Sequence, residues 1–428
     1  MVGFLYCLFS LAKFGTTRQA FYFGLVIGML IYPPQLWCFY TIFKTAAIPL
    51  WLIFAFWLAL FLLLAQFCFS NLKPITAAIL IPFLWTGLEY FRSELYYLRF
   101  SWLNVGYAFS GWQILPFHIL GVYGVGFLCA ACVTSFMAIR RKIHAAGIAL
   151  LVFAIFTTLF PTHSGGTRSH ANVIGAQLEF PSEGQVLVLL GQLDKKFPQT
   201  DLFILSEYTF TGPVPERIKT WCRQHQRYLI VGGEDPAPNG NYYDTAFVVG
   251  TNGEVIFKQA KSVPIQFFKD GLPATEQKLW ESPWGKIGIC ICYDLSYTRV
   301  TDQLIRLGAQ AIIVPTMDVA EWGRHEHELH TRIAPVRAAE YGIPIFRLAS
   351  SGISQSVDNM GYVRVSAPFP GEVATVKDVL TFRKPGSLPL DRVIAPISVF
   401  VTAAAIGCLV FTLLRRKRQL AKSNPAAK

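Results

Sequence analysis

Charge is scarce in this chain: Asp, Glu, Lys and Arg make up 15% of its 428 residues, against about 25% in a typical soluble domain. Acidic residues are the scarcer sign, 26 against 38 basic, for a net charge of +12. A basic surplus suits nucleic acid when it lines one face. Here the basic residues gather at the ends of apolar runs, which argues for membrane orientation instead and leaves nucleic acid out as a partner. Cysteine is thin where a disulfide scaffold would need it. Of nine cysteines, six (Cys7, Cys38, Cys68, Cys129, Cys132, Cys408) lie in apolar stretches, leaving Cys222, Cys290 and Cys292 in the polar part. The only CxxC spacing, Cys129 to Cys132, falls inside an apolar run, so neither a disulfide framework nor a thiol redox motif is expected. His325, His327 and His330 with Glu326 and Glu328 look like a metal cluster. The sequence HEHELH nevertheless contains no HExxH, which removes the zincin reading and predicts a solvated helix start; no metal or cofactor is expected. The N-terminus lacks a basic n-region and a small-residue cleavage site, so no removed leader is predicted.

What is abundant is apolar length. Hydrophobic residues make up 53% and the mean hydropathy is +0.40. The apolar runs fill residues 1–162 and return at 393–414, with an ordinary globular composition between them. Candidate spans are 2–13, 20–42, 46–70, 74–91, 115–138, 143–162 and 393–414. The first is short against the ~20 residues a spanning helix needs. These boundaries predict a multi-span membrane domain at 1–162, a globular domain at 163–391, a C-terminal transmembrane helix at 392–414 and a basic tail at 415–428. Arg140-Arg141-Lys142 and Arg415-Arg416-Lys417-Arg418 are the strongest cytoplasmic signals. Lys13, Arg18 and Lys73 agree with them, while Lys44, Arg92 and Arg99 fall on the other side. On balance the globular domain is predicted to lie outside the cytoplasm. Within the spans, Glu89 and Arg92 stand about one turn apart, as a structural pair would. The aromatic stretch at 92–114 reads as an interfacial belt or a lipid-handling surface.

The globular part alternates short β runs with helical patterns, predicting a layered α/β domain. Strands are expected at Asn172–Gln177, Leu202–Ser206, Tyr228–Gly232, Thr245–Gly250, Glu254–Lys258, Ile287–Ile291, Ala311–Pro315 and Pro344–Ala349, with hairpin signals at 251–253 and 358–361. Helices are expected at 183–195, 215–226, 298–308 and 326–341. Three polar residues close apolar runs: Glu207 after LFILS, Lys261 after EVIFKQA and Cys292 after IGICI. Strand ends are where α/β folds place their sites. A carboxylate can serve as base to a thiol, an ammonium can steady an oxyanion, and a thiol can carry an acyl group. Cys290, two residues inside the run, is expected in the core.

These pieces resemble the carbon–nitrogen hydrolase (nitrilase) superfamily. The matches are LSEYTF around Glu207, VIFKQAK ending at Lys261, WGKIGICICYD around Cys292, GAQAIIVPT, and RAAEYGIPIFRLASSGIS with Arg337 and Glu340. Within it, the apolar N-terminal half and single C-terminal span resemble the apolipoprotein N-acyltransferase family. LWTGLEYFR, FSWLNVGYAFS, GVYGVGFL, and MDVAEWG with Trp322 carry that likeness.

The resemblance implies a polytopic α-helical membrane domain plus an external αββα domain in the inner (cytoplasmic) membrane, with the catalytic domain on the periplasmic side. It also implies an N-acyltransferase that forms a cysteine thioester from a phospholipid acyl donor and passes the acyl group to a diacylated apolipoprotein. Glu207 would be general base, Lys261 the thiolate and oxyanion stabiliser, Cys292 the nucleophile, and the Tyr293 backbone part of the oxyanion hole. Trp322, Asp270 and Glu340 are further candidates. The chain departs from the family pattern in about one fewer N-terminal span and a shorter interval from Lys261 to Cys292. SVPIQFFKDGLPA lacks the usual glutamate there, and Asp270 is either the replacement carboxylate or a solvated turn residue. The alternative is a membrane-anchored amidase with the same three residues and water as acceptor.

Overall fold

The computed structural model describes residues 1–112, 114–138 and 169–423. The predicted span at 143–162 and the basic cluster at 140–142 lie outside them. Two compact units form. One takes Met1–Ala108, the chain from Leu120 and the stretch from Leu390; the other takes Phe109–Ile119 and the globular chain up to Pro389.

The first unit is helical. Its helices are Val2–Leu11, Thr17–Gln35, Trp37–Phe43, Ala47–Asn71, Pro74–Tyr90, Phe117–Ala138 (whose first turn falls in the other unit) and Asp391–Ser423. Among the described residues, four stretches are long and apolar enough to cross a membrane: Trp37–Asn71, Pro74–Leu95, Phe117–Ala138 and Asp391–Gln419. The chain is thus a membrane protein in its helical half. The run assigned as one span at 20–42 breaks at Leu36, two residues past the pair Pro33 and Pro34, which themselves sit inside the helix Thr17–Gln35. Close packing rests on small residues. A Cβ at Gly24 would lie 2.4 Å from the Ala59 Cα, and one at Gly28 2.5 Å from that of Ala55, the close helix contact that membrane interiors favour.

The second unit is built on two six-stranded sheets. Its strands are β1 (His170–Ala176), β2 (Leu202–Ile204), β3 (Tyr228–Pro236), β4 (Tyr242–Val249), β5 (Val255–Ala260), β6 (Leu279–Ser282), β7 (Gly285–Ile289), β8 (Ala311–Thr316), β9 (Ile345–Ala349), β10 (Gln355–Val357), β11 (Val363–Ser366) and β12 (Thr375–Thr381). The orders are β12-β1-β2-β3-β4-β5 and β11-β10-β9-β8-β7-β6. Each sheet has a parallel centre, β1-β2-β3 and β7-β8-β9, flanked by antiparallel strands. Alternation along the strands explains the layering. Ile174, Phe203, Leu229, Val231 and Phe247 meet Val186, Leu190, Ile218 and Trp221 of the helices Glu183–Lys196 and Glu216–His225 on the outer face. On the inner face Gly175 lets the sheets approach, since a Cβ there would lie 2.6 Å from a Leu348 methyl. The architecture is the αββα sandwich expected of this half. The helix expected at 326–341 is two, Arg324–Thr331 and Ile333–Tyr341. The hairpin expected at 358–361 joins β10 to β11, while β6 and β12 carry no signal strong enough to be found from sequence.

Candidate active site

Glu207 follows β2, Lys261 directly follows β5, and Cys292 follows β7, so parallel and antiparallel strand ends converge on one edge of the sandwich. Local backbone explains two of the placements. Gly232 on β3 gives Glu207 room, because a Cβ there would lie 2.5 Å from the Glu207 Cα. Cys292 has φ +50°, a left-handed conformation that non-glycine residues adopt rarely and often at functional sites. It opens a 3₁₀ turn, Cys292–Ser296, that sits between the strand and the helix Thr298–Leu307. The turn is held from behind. Arg337 donates to the carbonyls of Leu295 (3.1 Å) and Ser296 (2.9 Å) and pairs with Glu340 at 2.6 Å. Glu340 therefore supports the turn through Arg337.

Lys261 is 1% exposed and its ammonium is enclosed by carboxylates: Glu207 at 2.7 Å, Asp270 at 2.8 Å and Asp244 at 3.4 Å. The ammonium occupies the place a cation would take among these three acids. Burial pushes the Lys261 pKa down, but the Glu207 and Asp270 charges outweigh it and hold it well above the ordinary value. Burial first, then the Glu207 charge, pushes the Asp244 pKa well up against the pull of Lys261. Asp270, expected either as a replacement carboxylate or as a solvated turn, is buried. It accepts from Tyr208 Oη (3.0 Å) and Ile265 N (2.7 Å). Asp244 went unnoticed in the sequence because it sits inside a strand; a buried aspartate in an apolar β run was the available signal.

The Met317 peptide, just past β8, links the base and the thiol. Its N–H donates to Glu207 Oε2 at 2.6 Å, and its carbonyl lies 3.9 Å from Cys292 Sγ. Burial first, then the Glu207 charge, raises the Cys292 thiol well above its ordinary pKa. At neutral pH the sulfur is a thiol that needs a base at the moment of attack. Asp294 ties the lysine loop to the cysteine turn by accepting from Ser262 N (3.0 Å), Val263 N (2.7 Å) and Ile291 N (3.2 Å). Burial raises it to about 6. Tyr293 follows Cys292 in the turn and stacks edge-on with Tyr297. Cys290 is fully buried, in the core as expected. Trp322 stands half-buried beyond β8, its ring centroid 6.1 Å from that of Phe268 in the loop after Lys261.

One expectation fails. His327, His330 and Glu326 are buried rather than solvated. His330 and Arg347 converge on Asp318, His330 Nδ1 at 2.8 Å and Arg347 directly paired. Burial opposes the Asp318 charge, but His330 and Arg347 outweigh it and hold its pKa below the usual carboxylate range. Cys292, Asp318 and His330 present ligand-type atoms within 4.8 Å of one another. The Arg347 guanidinium already supplies the positive partner there.

A buried thiol beside a carboxylate–ammonium pair, on an αββα sandwich joined to a bundle of apolar helices, defines a membrane-anchored enzyme of the carbon–nitrogen hydrolase class. Residues 190–375 match the carbon–nitrogen hydrolase family model, and residues 1–135 match the apolipoprotein N-acyltransferase N-terminal domain. The chain is 24% identical over 416 residues to an apolipoprotein N-acyltransferase of Geobacter metallireducens, covering 82% of this chain and 79% of that one. It is 26% identical over 333 residues to that of Rickettsia prowazekii, covering 65% of each. Among solved structures, Saccharomyces cerevisiae Nit3 of the nitrilase superfamily aligns with TM-score 0.42 and 21% identity, over 50% of this chain and 90% of that one. The chain thus carries a carbon–nitrogen hydrolase domain behind an apolipoprotein N-acyltransferase N-terminal domain, and is an acyltransferase-type enzyme.

Proposed function

We propose that the protein is an N-acyltransferase that moves a fatty acyl group from a phospholipid to the N-terminal amine of a diacylglyceryl-cysteine lipoprotein. The Cys292 sulfur attacks the ester carbonyl while Glu207 takes its proton. Lys261 and the Tyr293 N–H stabilise the oxyanion. Collapse breaks the ester C–O bond, Glu207 returns the proton to the leaving alkoxide, and a lysophospholipid departs. The lipoprotein amine then attacks the thioester, Glu207 takes its excess proton, and the sulfur leaves to be reprotonated. Asp270 and Asp244 hold Lys261 in position, and Trp322 with Phe268 offers an apolar wall to the acyl chain. The partition 1–162, 163–391, 392–414 and 415–428 fits this reading, with the enzyme in the inner membrane and its thiol on the outer side.

The observation that carries the proposal is the pairing of Glu207 with Lys261 at 2.7 Å while Glu207 and Cys292 both touch the Met317 peptide. The test is a two-stage assay on the full chain. Labelled phospholipid is added first, the thioester is trapped, and a diacylated lipopeptide follows. Label passing from Cys292 to the lipopeptide amine supports the proposal, with Glu207→Gln slowing acylation by roughly 10²–10⁴-fold. A thioester that only hydrolyses would favour the amidase reading, and no adduct on Cys292 would defeat both.

A further inference from the structure

The helical unit holds a cavity of about 330 Å³, formed by residues including Tyr32, Trp57, Phe61, Trp85, Glu89 and Arg92. That is near the lower end of the roughly 300–1,000 Å³ typical of ligand pockets. The walls are almost wholly apolar, with a few polar groups whose partners do not close the account. Glu89 is 6% exposed. Its Oε1 accepts from Val105 N at 2.8 Å, but among the described residues its Oε2 has no hydrogen-bond partner. The pairing with Arg92 expected from their spacing is not made: Arg92 donates to Asn104 at 2.8 Å and lies over the Phe54 ring. The buried indole N–H groups of Trp57 and Trp85 also lack partners among the described residues.

Leaving one carboxylate oxygen and two indole donors bare in an apolar interior is costly, most of all for the carboxylate. Water cannot complete the site. The volume equals about eleven waters at ~30 Å³ apiece, and each buried water needs two to four polar partners. Three bare atoms can support about one. The remaining space calls for an apolar body, and the bare carboxylate calls for a donor on that body, best a cation.

We propose that this cavity binds a single-chain amphiphile with a protonated amine head. The chain would fill the aromatic walls, and the ammonium would pair with Glu89 Oε2, beside the ring faces that attract cations. The site is built from residues of the helical unit alone and does not depend on the acyl-transfer reading.

The test uses the full chain in lipid nanodiscs and an alkylamine carrying a photoreactive diazirine, with crosslinks mapped by mass spectrometry. Crosslinks on the segments bearing Trp57, Trp85 and Glu89 are expected, displaced by dodecylamine at concentrations at least tenfold below those needed of dodecanol or dodecanoate. Glu89→Gln should erase that preference. Leu58 also lines the cavity, and Leu58→Trp, which leaves the carboxylate in place but fills space, should abolish the crosslinks if the protein still melts cooperatively. Crosslinks confined to other segments would overturn the proposal. So would equal displacement by the three chain types, or an unchanged amine preference in Glu89→Gln.

Discussion

Asp318 shows how one side chain in the hydrolase unit gathers several roles. Its carboxylate receives Arg347 and His330, and its backbone carbonyl accepts from Ser350 at 2.9 Å. It also lies close to the Cys292 sulfur. Its folded-state pKa is depressed below the ordinary 3.8. By linkage, the stability it adds is present above that value and is lost as pH falls through the folded one. Asp318→Asn should therefore cost about 3–5 kcal/mol at neutral pH, the penalty of leaving a buried cation unpaired. The gap to wild type should begin to narrow below pH ~4, where the unfolded chain's carboxyl takes up its proton, and close only as pH falls through the depressed folded value. Thermal melts of the full chain in detergent, read from pH 7 to pH 3, would check it; a constant gap would contradict the assignment. Asp294 runs the other way. Burial raises it to about 6, so its ionised form opposes folding as pH rises from about 4 to 6, by the same linkage.

At the scale of elements, strand ends decide the chemistry. β2, β5, β7 and β8 deliver Glu207, Lys261, Cys292 and Met317 to one place, and the tolerance is narrow. Gly232 belongs to a strand that contributes no reacting group, yet its missing side chain admits the Glu207 backbone. Gly232→Ala should push Glu207 outward, and a shift near 1 Å costs on the order of 10²-fold in rate. A loss of that order in thioester formation, with the protein still folding cooperatively, is expected. Unchanged kinetics would show that Glu207 tolerates the displacement. The three acids, Lys261 and the Asp294 clamp form a single buried network, so substitutions there should couple strongly rather than add.

For the whole molecule, orientation is the testable property. The basic tail from Arg415 and the helix Asp391–Gln419 predict a cytoplasmic C-terminus with the hydrolase unit on the other side. A single cysteine placed at exposed Lys195 in a Cys-depleted background should react with an impermeant maleimide from outside the inner membrane. Its labelling only from the cytoplasmic side would reverse the topology and remove the lipoprotein as an accessible acceptor.

Much of this was legible in the residues. Apolar length announced the helices, period-two alternation announced most strands, and each of the three candidate side chains stood where an apolar run stops. Local patterns suffice there because burial and backbone pairing impose them locally. The missed strands are short or lie at the edges of the sheets, where half-exposed residues blur the alternation. A break at Leu36 divided a span that hydropathy alone ran together, and HEHELH read as solvated because its polarity gave no hint of Arg347. Only the tertiary structure decided which charges share a volume. It set three carboxylates around Lys261, put Asp318 against His330 and Arg347, joined Glu207 and Cys292 through the Met317 peptide, and left Glu89 without Arg92. Those outcomes depend on distances between residues far apart in the chain, and electrostatic interaction inside a low-dielectric interior turns on such distances.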